Sequence, residues 1–115
     1  MRKTQLLDAI LKAINGFNEN EPTLLLSEVV LTYMAVNSGN SVLKWISEMF
    51  SNCVLAIYEQ INPLDPFGQV MISHFKKLGS PLKCIAKYPT EVHQMKRHID
   101  KVGDLFLLIC FIHFI

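Results

Sequence analysis

A single carboxylate inside an apolar segment is the feature of this sequence that most favours chemistry. The segment runs from Thr23 to Met34 and contains one acid, Glu28. A near-continuous apolar run of this length predicts a strand buried on both faces, as in a parallel sheet. An ionised carboxylate is costly to bury without a partner, so Glu28 is expected at the C-terminal end of the strand, where open α/β sheets bind ligands. Alternatively, Glu28 caps the next helix or pairs with a nearby lysine.

The cysteines and histidines form no pattern typical of a metal site or an activated nucleophile. Cys53, Cys84 and Cys110 are widely spaced and include no CxxC pair. Cys53 and Cys110 lie in apolar surroundings, which favour a role as small hydrophobic residues. His93 and His98 are spaced so that they face different sides of a helix, and no zinc site is predicted.

Hydrophobic periodicity predicts the elements that would position Glu28. The pattern favours amphipathic helices over 6–14, 42–50, about 65–78 and 90–102, with a second strand over 53–59. Turn-forming residues at 37–41 predict a loop before the second helix. The order α-β-α-β-α-α favours parallel strands joined by crossover helices. Two strands are too few for a stable sheet, which indicates that part of the fold is absent.

Composition fits one small α/β domain in a reducing compartment. The chain has 115 residues, half of them hydrophobic, and a net charge of +1. Its N-terminus lacks the uninterrupted apolar stretch of a signal peptide, and free thiols fit a cytoplasmic location. Acidic residues predominate over 5–65 and basic residues over 74–101. The basic half could face phosphates, although a solvated helical face is the favoured interpretation.

Three ordered motifs resemble the leucine carboxyl methyltransferase family. They are Thr23 to Met34, Ile57-Tyr-Glu-Gln-Ile61 and Asp65-Pro-Phe-Gly-Gln-Val-Met-Ile72. Leu78-Gly-Ser-Pro-Leu82 is closer to the branch that acts in tRNA wybutosine synthesis than to the branch that methylates protein phosphatase 2A. The resemblance covers residues 5–103. It implies a class I, Rossmann-like fold and S-adenosylmethionine (SAM) as methyl donor, with phenylalanine tRNA or the phosphatase catalytic subunit as partner.

The resemblance also assigns residues to the site. The acidic SAM contact of the family corresponds to Glu28, and a carboxylate suits a ligand that carries an ammonium and a sulfonium. Tyr33 corresponds to the tyrosine near the methyl-transfer centre, where its phenol could orient the attacking carboxylate or simply pack at a helix start. Tyr58-Glu59-Gln60 is interpreted as structural, and Phe67-Gly68 as fixing how the next helix packs.

Other parts of the family pattern are absent. The glycine-rich loop, the second-strand acid and the early arginine that binds the SAM carboxylate would lie upstream of Met1. The apolar residues 104–115 do not resemble the family; they could form a replacement strand, although an out-of-family coding end is the favoured interpretation. The sequence thus predicts a partial class I methyltransferase domain at 1–103, with about two core parallel strands and flanking helices, and a non-family tail at 104–115.

Three functional hypotheses follow. The first is a methyltransferase fragment of the wybutosine branch, or of the phosphatase branch, that is inactive alone. The second is a non-catalytic interaction module that pairs through the exposed edge of the strand at 23–30. The third is a tRNA-binding fragment that uses Lys76, Lys77, Lys96 and Arg97. No metal and no membrane span are expected.

Overall fold

The computed structural model describes residues 2–102 and 106–113, which form four α-helices, one short 3-10 helix and three strands. In chain order these are α1 (Arg2–Lys12), β1 (Thr23–Glu28), the 3-10 helix (Leu31–Tyr33), α2 (Val36–Met49), β2 (Cys53–Ile61), α3 (Pro66–Lys77), α4 (Glu91–Val102) and β3 (Phe106–His113). The α/β class predicted from the sequence is confirmed.

The strands form one parallel sheet in the order β1-β2-β3. The β1–β2 register pairs Thr23 with Cys53 and Glu28 with Tyr58, so the two strands start and run in step. The prediction of about two strands was one too few, because Phe106–His113 of the apolar tail pairs with β2 from Val54 to Ile61. This is the replacement strand that the sequence left open as an alternative.

The apolar segment 23–34 is a strand for only half of its length, so the prediction of a long strand buried on both faces was wrong. Leu24 and Leu26 are 69% and 71% exposed, whereas Leu25 between them is half-buried and packs against the core. One face of β1 is therefore uncovered by the described residues. The strand ends because Val29 adopts φ +50, after which the chain turns into the 3-10 helix.

The main core lies between the sheet and helices α2 and α4. On β2, alternate side chains from Cys53 to Ile57 point into this core, as the period of a strand requires. The buried members of the cluster are Leu31, Leu43, Ile46, Phe50, Cys53, Leu55, Ile57 and Val102. The predicted role of Cys53 as a small hydrophobic residue is confirmed, whereas the side chain of Cys110 lies outside the description. Leu82 and Ile85 form a smaller cluster with Tyr33 and α3.

Helix α2 begins at Val36, so residues 37–41 are helical and the predicted loop was wrong. Tertiary packing overrides the local turn preference here. Gly39 is buried, and a Cβ at this position would lie 2.6 Å from the Arg97 guanidinium of α4. A glycine that looks like a turn residue in the sequence instead lets α2 and α4 approach closely.

Helices α3 and α4 begin where local capping predicts. Asp65 caps α3 by accepting a hydrogen bond from the Gly68 amide (2.7 Å), and Pro66 occupies the first turn. Thr90 accepts from the His93 amide at the start of α4. A Cβ on Gly68 would clash with the Asn62 carbonyl oxygen, which explains why this glycine fixes the packing of α3 against the preceding loop. The predicted helix end at Gly103 lies outside the described residues.

Candidate functional site

Glu28 is the last residue of β1, at the carboxyl edge of the parallel sheet, where the sequence predicted it. Its neighbour across the ladder is Tyr58 of β2. The Glu28 side chain is exposed. Within residues 2–102 and 106–113, no helix cap and no lysine pair holds its carboxylate. An exposed acid at this edge is available to a cationic ligand.

The chain turns sharply immediately after Glu28. Val29 has φ +50, a conformation that is strongly unfavourable for a β-branched residue. Its amide donates to the Tyr58 carbonyl oxygen at 2.8 Å, which ties the turn to β2. We call residues 28–33 the β1 corner. This corner carries both residues assigned to the site, Glu28 at its start and Tyr33 at its end.

Glu59 of β2 lies beneath the β1 corner and is almost completely buried (1% exposed). Its Oε1 accepts a hydrogen bond from the Leu31 amide at 3.1 Å. Burial raises the pKa of Glu59 to about 7, although the Leu31 amide and the charge of Arg97 oppose the shift. The structural interpretation of Tyr58-Glu59-Gln60 fits these contacts. The sequence did not indicate which backbone groups Glu59 would hold.

Tyr33 lines a cavity of about 330 Å³ between the β1 corner and the segment after α3. The other walls include Phe75, Leu78, Pro81 and Lys83. The rings of Tyr33 and Phe75 meet edge to face, with centroids 6.2 Å apart. Glu28 does not line this cavity. The structure thus brings the two assigned residues to one corner but not into one pocket.

Arg97 is buried rather than displayed, so its assignment to a tRNA-binding surface was wrong. It is 3% exposed, its guanidinium stacks 4.4 Å from the centre of the Tyr88 ring, and its Nε donates to Asn40 Oδ1 at 2.9 Å. Its Nη2 lies 3.9 Å from Cys84 Sγ. The other three proposed cations, Lys76, Lys77 and Lys96, are exposed. Helical periodicity did not reveal that Arg97 faces α2, because that depends on the closeness that Gly39 permits.

His98 is also fully buried on α4. Its Nδ1 lies 2.6 Å from the Gln94 carbonyl oxygen, a contact in which only the ring can donate. Burial lowers the pKa of His98 to about 4, so the ring is neutral at physiological pH. Among residues 2–102 and 106–113, no group of histidine, cysteine and acid side chains could hold a metal ion. No described helix is long and apolar enough to cross a membrane.

The two described thiols are unreactive in this setting. Cys53 and Cys84 are free and buried. Burial raises the pKa of both thiols, and at Cys84 it outweighs the opposing effect of the Arg97 charge. Since the thiolate is the nucleophile, neither cysteine is a candidate for covalent chemistry.

Comparison with known proteins identifies relatives of this chain. It is 37% identical to human tRNA wybutosine-synthesizing protein 4 over 100 residues, which are 87% of this chain and 14% of the human protein. The chain is homologous to this protein. The match to the Aspergillus oryzae tRNA wybutosine-synthesizing protein 4 is 40% over 97 residues, 82% of the chain and 9% of that protein.

A second group of relatives is named for leucine carboxyl methyltransferase, the other branch that the resemblance implied. An Arabidopsis thaliana leucine carboxyl methyltransferase 1 homolog is 35% identical over 79 residues, 69% of this chain and 24% of that protein. No family model matches the chain. The homologues confirm the resemblance to the leucine carboxyl methyltransferase family and to its wybutosine branch. The chain spans about a seventh of the human relative's length.

Proposed function

We propose that the described residues form part of the site of a SAM-dependent carboxyl methyltransferase with a class I, Rossmann-like fold that acts in tRNA wybutosine synthesis. The observation that carries the proposal is the unpaired Glu28 carboxylate at the carboxyl edge of a parallel sheet, in a chain homologous to wybutosine-synthesizing protein 4. The buried free thiols fit a cytoplasmic, reducing location. The class I fold, the cofactor and the roles of residues belong to the proposal.

Glu28 would bind SAM through a charge-assisted hydrogen bond. SAM carries positive charges on its ammonium and its sulfonium, and an exposed carboxylate can pair with a cationic group of this kind. Such a bond is shorter than a neutral one and roughly twice as strong. When bound, SAM supplies the methyl group that an acceptor oxygen attacks. The cavity beside Tyr33 would admit the acceptor from the other side of the β1 corner.

Tyr33 would orient an acceptor carboxylate. A carboxylate nucleophile is already an anion, and the departing group is a neutral thioether, so the reaction needs no general base. Alignment of the reacting groups then supplies most of the acceleration, up to about 7–11 kcal/mol in favourable cases. Tyr33 and Lys83 both line the cavity and can donate to a carboxylate oxygen. The packing of Tyr33 on Phe75 holds the phenol at the cavity wall.

The acceptor would be a modified nucleoside of phenylalanine tRNA. The relatives named for wybutosine synthesis support this choice, whereas those named leucine carboxyl methyltransferase support the C-terminal leucine of protein phosphatase 2A as the alternative. Lys76 and Lys77 at the end of α3 are exposed and lie in the sequence between Phe75 and Leu78, which line the Tyr33 cavity. They offer positive charge for a phosphate backbone.

The proposal is tested by titrating SAM into the isotope-labelled chain and following the backbone amides by NMR. We expect weak binding, weaker than micromolar, because the glycine-rich loop with which the family holds the cofactor does not occur in this sequence. The shifts should concentrate on the β1 corner. Glu28→Gln should weaken binding about tenfold, since a hydrogen bond to a charged group contributes about 1.5–3 kcal/mol and this one is exposed.

Glu48→Gln is the control, because Glu48 is also an exposed carboxylate; it lies on α2, away from the carboxyl edge of the sheet, 3.9 Å from Lys44 Nζ. It should leave SAM binding unchanged. Shifts spread evenly over the surface, or equal affinities for the wild type and Glu28→Gln, would contradict the assignment of Glu28.

The alternative of a non-catalytic interaction module is favoured by a different observation. β1 is an edge strand, and Leu24 and Leu26 on its uncovered face are mostly exposed. An apolar strand edge can pair with another chain. The state of association of the purified chain distinguishes this function from methyl transfer.

A further inference from the structure

The contacts of Glu59 reach further than one backbone amide. Besides the bond to Leu31, the Thr32 and Val30 amides also lie where they stabilise the Glu59 carboxylate. Three successive amides of the β1 corner are thus directed at one side chain from the neighbouring strand. The first turn of a helix leaves such donors unsatisfied, and a carboxylate is the strongest acceptor a side chain can offer them.

Thr32 extends this arrangement to the wall of the Tyr33 cavity. Its carbonyl oxygen accepts hydrogen bonds from the Lys83 amide at 2.7 Å and the Cys84 amide at 3.2 Å. Cys84 Sγ in turn donates to the Met34 carbonyl oxygen at 3.2 Å. Lys83 lines the cavity, and Thr32 is buried. One residue of the 3-10 helix, Thr32, therefore lies between the Glu59 carboxylate and the opposite wall.

The β1 corner needs such an anchor because its backbone is strained. Val29 at φ +50 is in a disfavoured conformation, and a strained residue persists only where surrounding contacts determine its conformation. The Val29 amide is held by the Tyr58 carbonyl oxygen, and the Leu31 amide donates to Glu59, the residue after Tyr58, with the Val30 and Thr32 amides near the same carboxylate. Both anchors are thus consecutive residues of β2.

We propose that Glu59 is a positioning residue, which holds the β1 corner and, through the backbone of Leu31 and Thr32, the cavity wall at Lys83 and Cys84 in one fixed arrangement. The inference rests on the proposed function only for the use that Glu28 and Tyr33 make of this arrangement. Glu59 touches neither the cofactor nor the acceptor. It sets the distance and angle between the acid that would bind SAM and the phenol that would meet the acceptor.

The proton on Glu59 tunes the same contacts. Two ionisable groups face Glu59 among the described residues, the charged Arg97 of α4 and the neutral Cys84 thiol of the segment after α3. A carboxylate accepts strongly from the Leu31 amide and attracts the nearby amides of Val30 and Thr32, whereas a protonated carboxyl group is a weaker acceptor. The environment of the amides of the β1 corner should therefore change as pH passes through the pKa of Glu59, which is about 7.

Amide hydrogen exchange of the full chain, measured residue by residue without any ligand, tests the proposal. Glu59→Gln keeps the size of the side chain but removes its charge. We expect exchange to accelerate about tenfold at Leu31 and Thr32, and also at Lys83 and Cys84, because neutral hydrogen bonds are about half as strong as charged ones. Amides of β2 should keep their protection. Glu48→Gln should change none of these sites.

Ile46→Ala serves as the control for general destabilisation, because Ile46 is a buried residue of the main core on α2 and its side chain takes no part in the hydrogen bond between Glu59 and Leu31. It should accelerate exchange throughout the sheet. If Glu59→Gln gave the same uniform pattern, or loosened Leu31 without Lys83 and Cys84, the positioning role would be refuted.

The wild-type chain provides a second test that needs no variant to fold. The Leu31 amide shift should titrate with a midpoint near pH 7, in parallel with the Lys83 amide shift. Absence of that titration would overturn the proposal. Neither readout involves SAM, so a failed SAM titration would reject the proposed function and leave this inference standing, and the reverse also holds.

Discussion

At the scale of single residues, the structure turns on side chains whose partners are distant in the sequence. Glu59 holds the Leu31 amide, and Arg97 stacks on Tyr88 and binds Asn40. Local periodicity describes the face on which a residue lies, but it carries no information about which element covers that face. The position of Glu28 was predictable because it follows from the end of a strand. The anchoring role of Glu59 could not be predicted, because it depends on the register between β1 and β2.

Gly68 gives a prediction at this scale. Gly68→Ala should destabilise the chain by about 1–3 kcal/mol, because the new methyl group would overlap the Asn62 carbonyl oxygen and approach the Pro63 backbone, neither of which is a flexible side-chain end. Urea denaturation measures the change. Ser73→Ala, at an exposed position on the same helix, should have almost no effect. Equal stability of the two variants would contradict this prediction and would show that the loop before α3 moves aside at little energetic cost.

At the scale of elements, the boundaries that depend on residues nearby in the sequence were predicted correctly, and those that depend on distant residues were not. The starts of α3 and α4 were predicted because Asp65 and Thr90 act within one turn of their own helices. The start of α2 was missed because Gly39 serves a contact with α4 and not a turn. The length of β1 was overestimated because Val29, a good strand former, is held at a positive φ by β2.

The exposed face of β1 gives a prediction about association. Leu26→Lys should reduce self-association of the chain, since a charged side chain on an edge strand opposes pairing with another sheet. Sedimentation velocity over a range of concentrations measures it. The substitution should change stability by less than about 0.5 kcal/mol, as is usual for surface positions. Leu55→Ala, in the core of β2, should instead destabilise by about 2–5 kcal/mol. A wild-type chain that stays monomeric at high concentration would remove the basis for an interaction module.

At the scale of the whole molecule, two buried groups give the fold opposite responses to pH. The folded-state pKa of Glu59 is about 7, above its ordinary value of 4.5, so folding stability from this residue is greatest below pH 4.5 and is lost as pH rises toward 7. The folded-state pKa of His98 is about 4, below its ordinary value of 6.5, so stability from this residue is present above pH 6.5 and is lost as pH falls toward 4. Between pH 4.5 and 6.5, the stability that Glu59 contributes falls as pH rises, whereas the stability that His98 contributes increases.

Replacing either residue should therefore reveal how the unfolding free energy depends on pH through the other residue. His98→Gln should leave a chain whose unfolding free energy falls as pH rises from 5 to 7, by up to about 3 kcal/mol if the whole Glu59 effect is realised. Glu59→Gln should leave one whose unfolding free energy falls as pH drops from 6 to 4. Urea unfolding across this pH range measures both. The same pH profile for both variants and the wild type would contradict the assigned pKa directions.

The central place of β2 in a parallel sheet also has a consequence for how the chain reaches its native state. Val54 of β2 pairs with Phe106 of β3, a partner that leaves the ribosome only after α3 and α4 have been made. Pairings between such distant segments form slowly, because the intervening chain must first be closed into a large loop. During synthesis, one side of β2 therefore stays open while its apolar residues are already exposed. Chaperone binding to the nascent chain should begin once β2 has emerged and should end when β3 takes its place in the sheet.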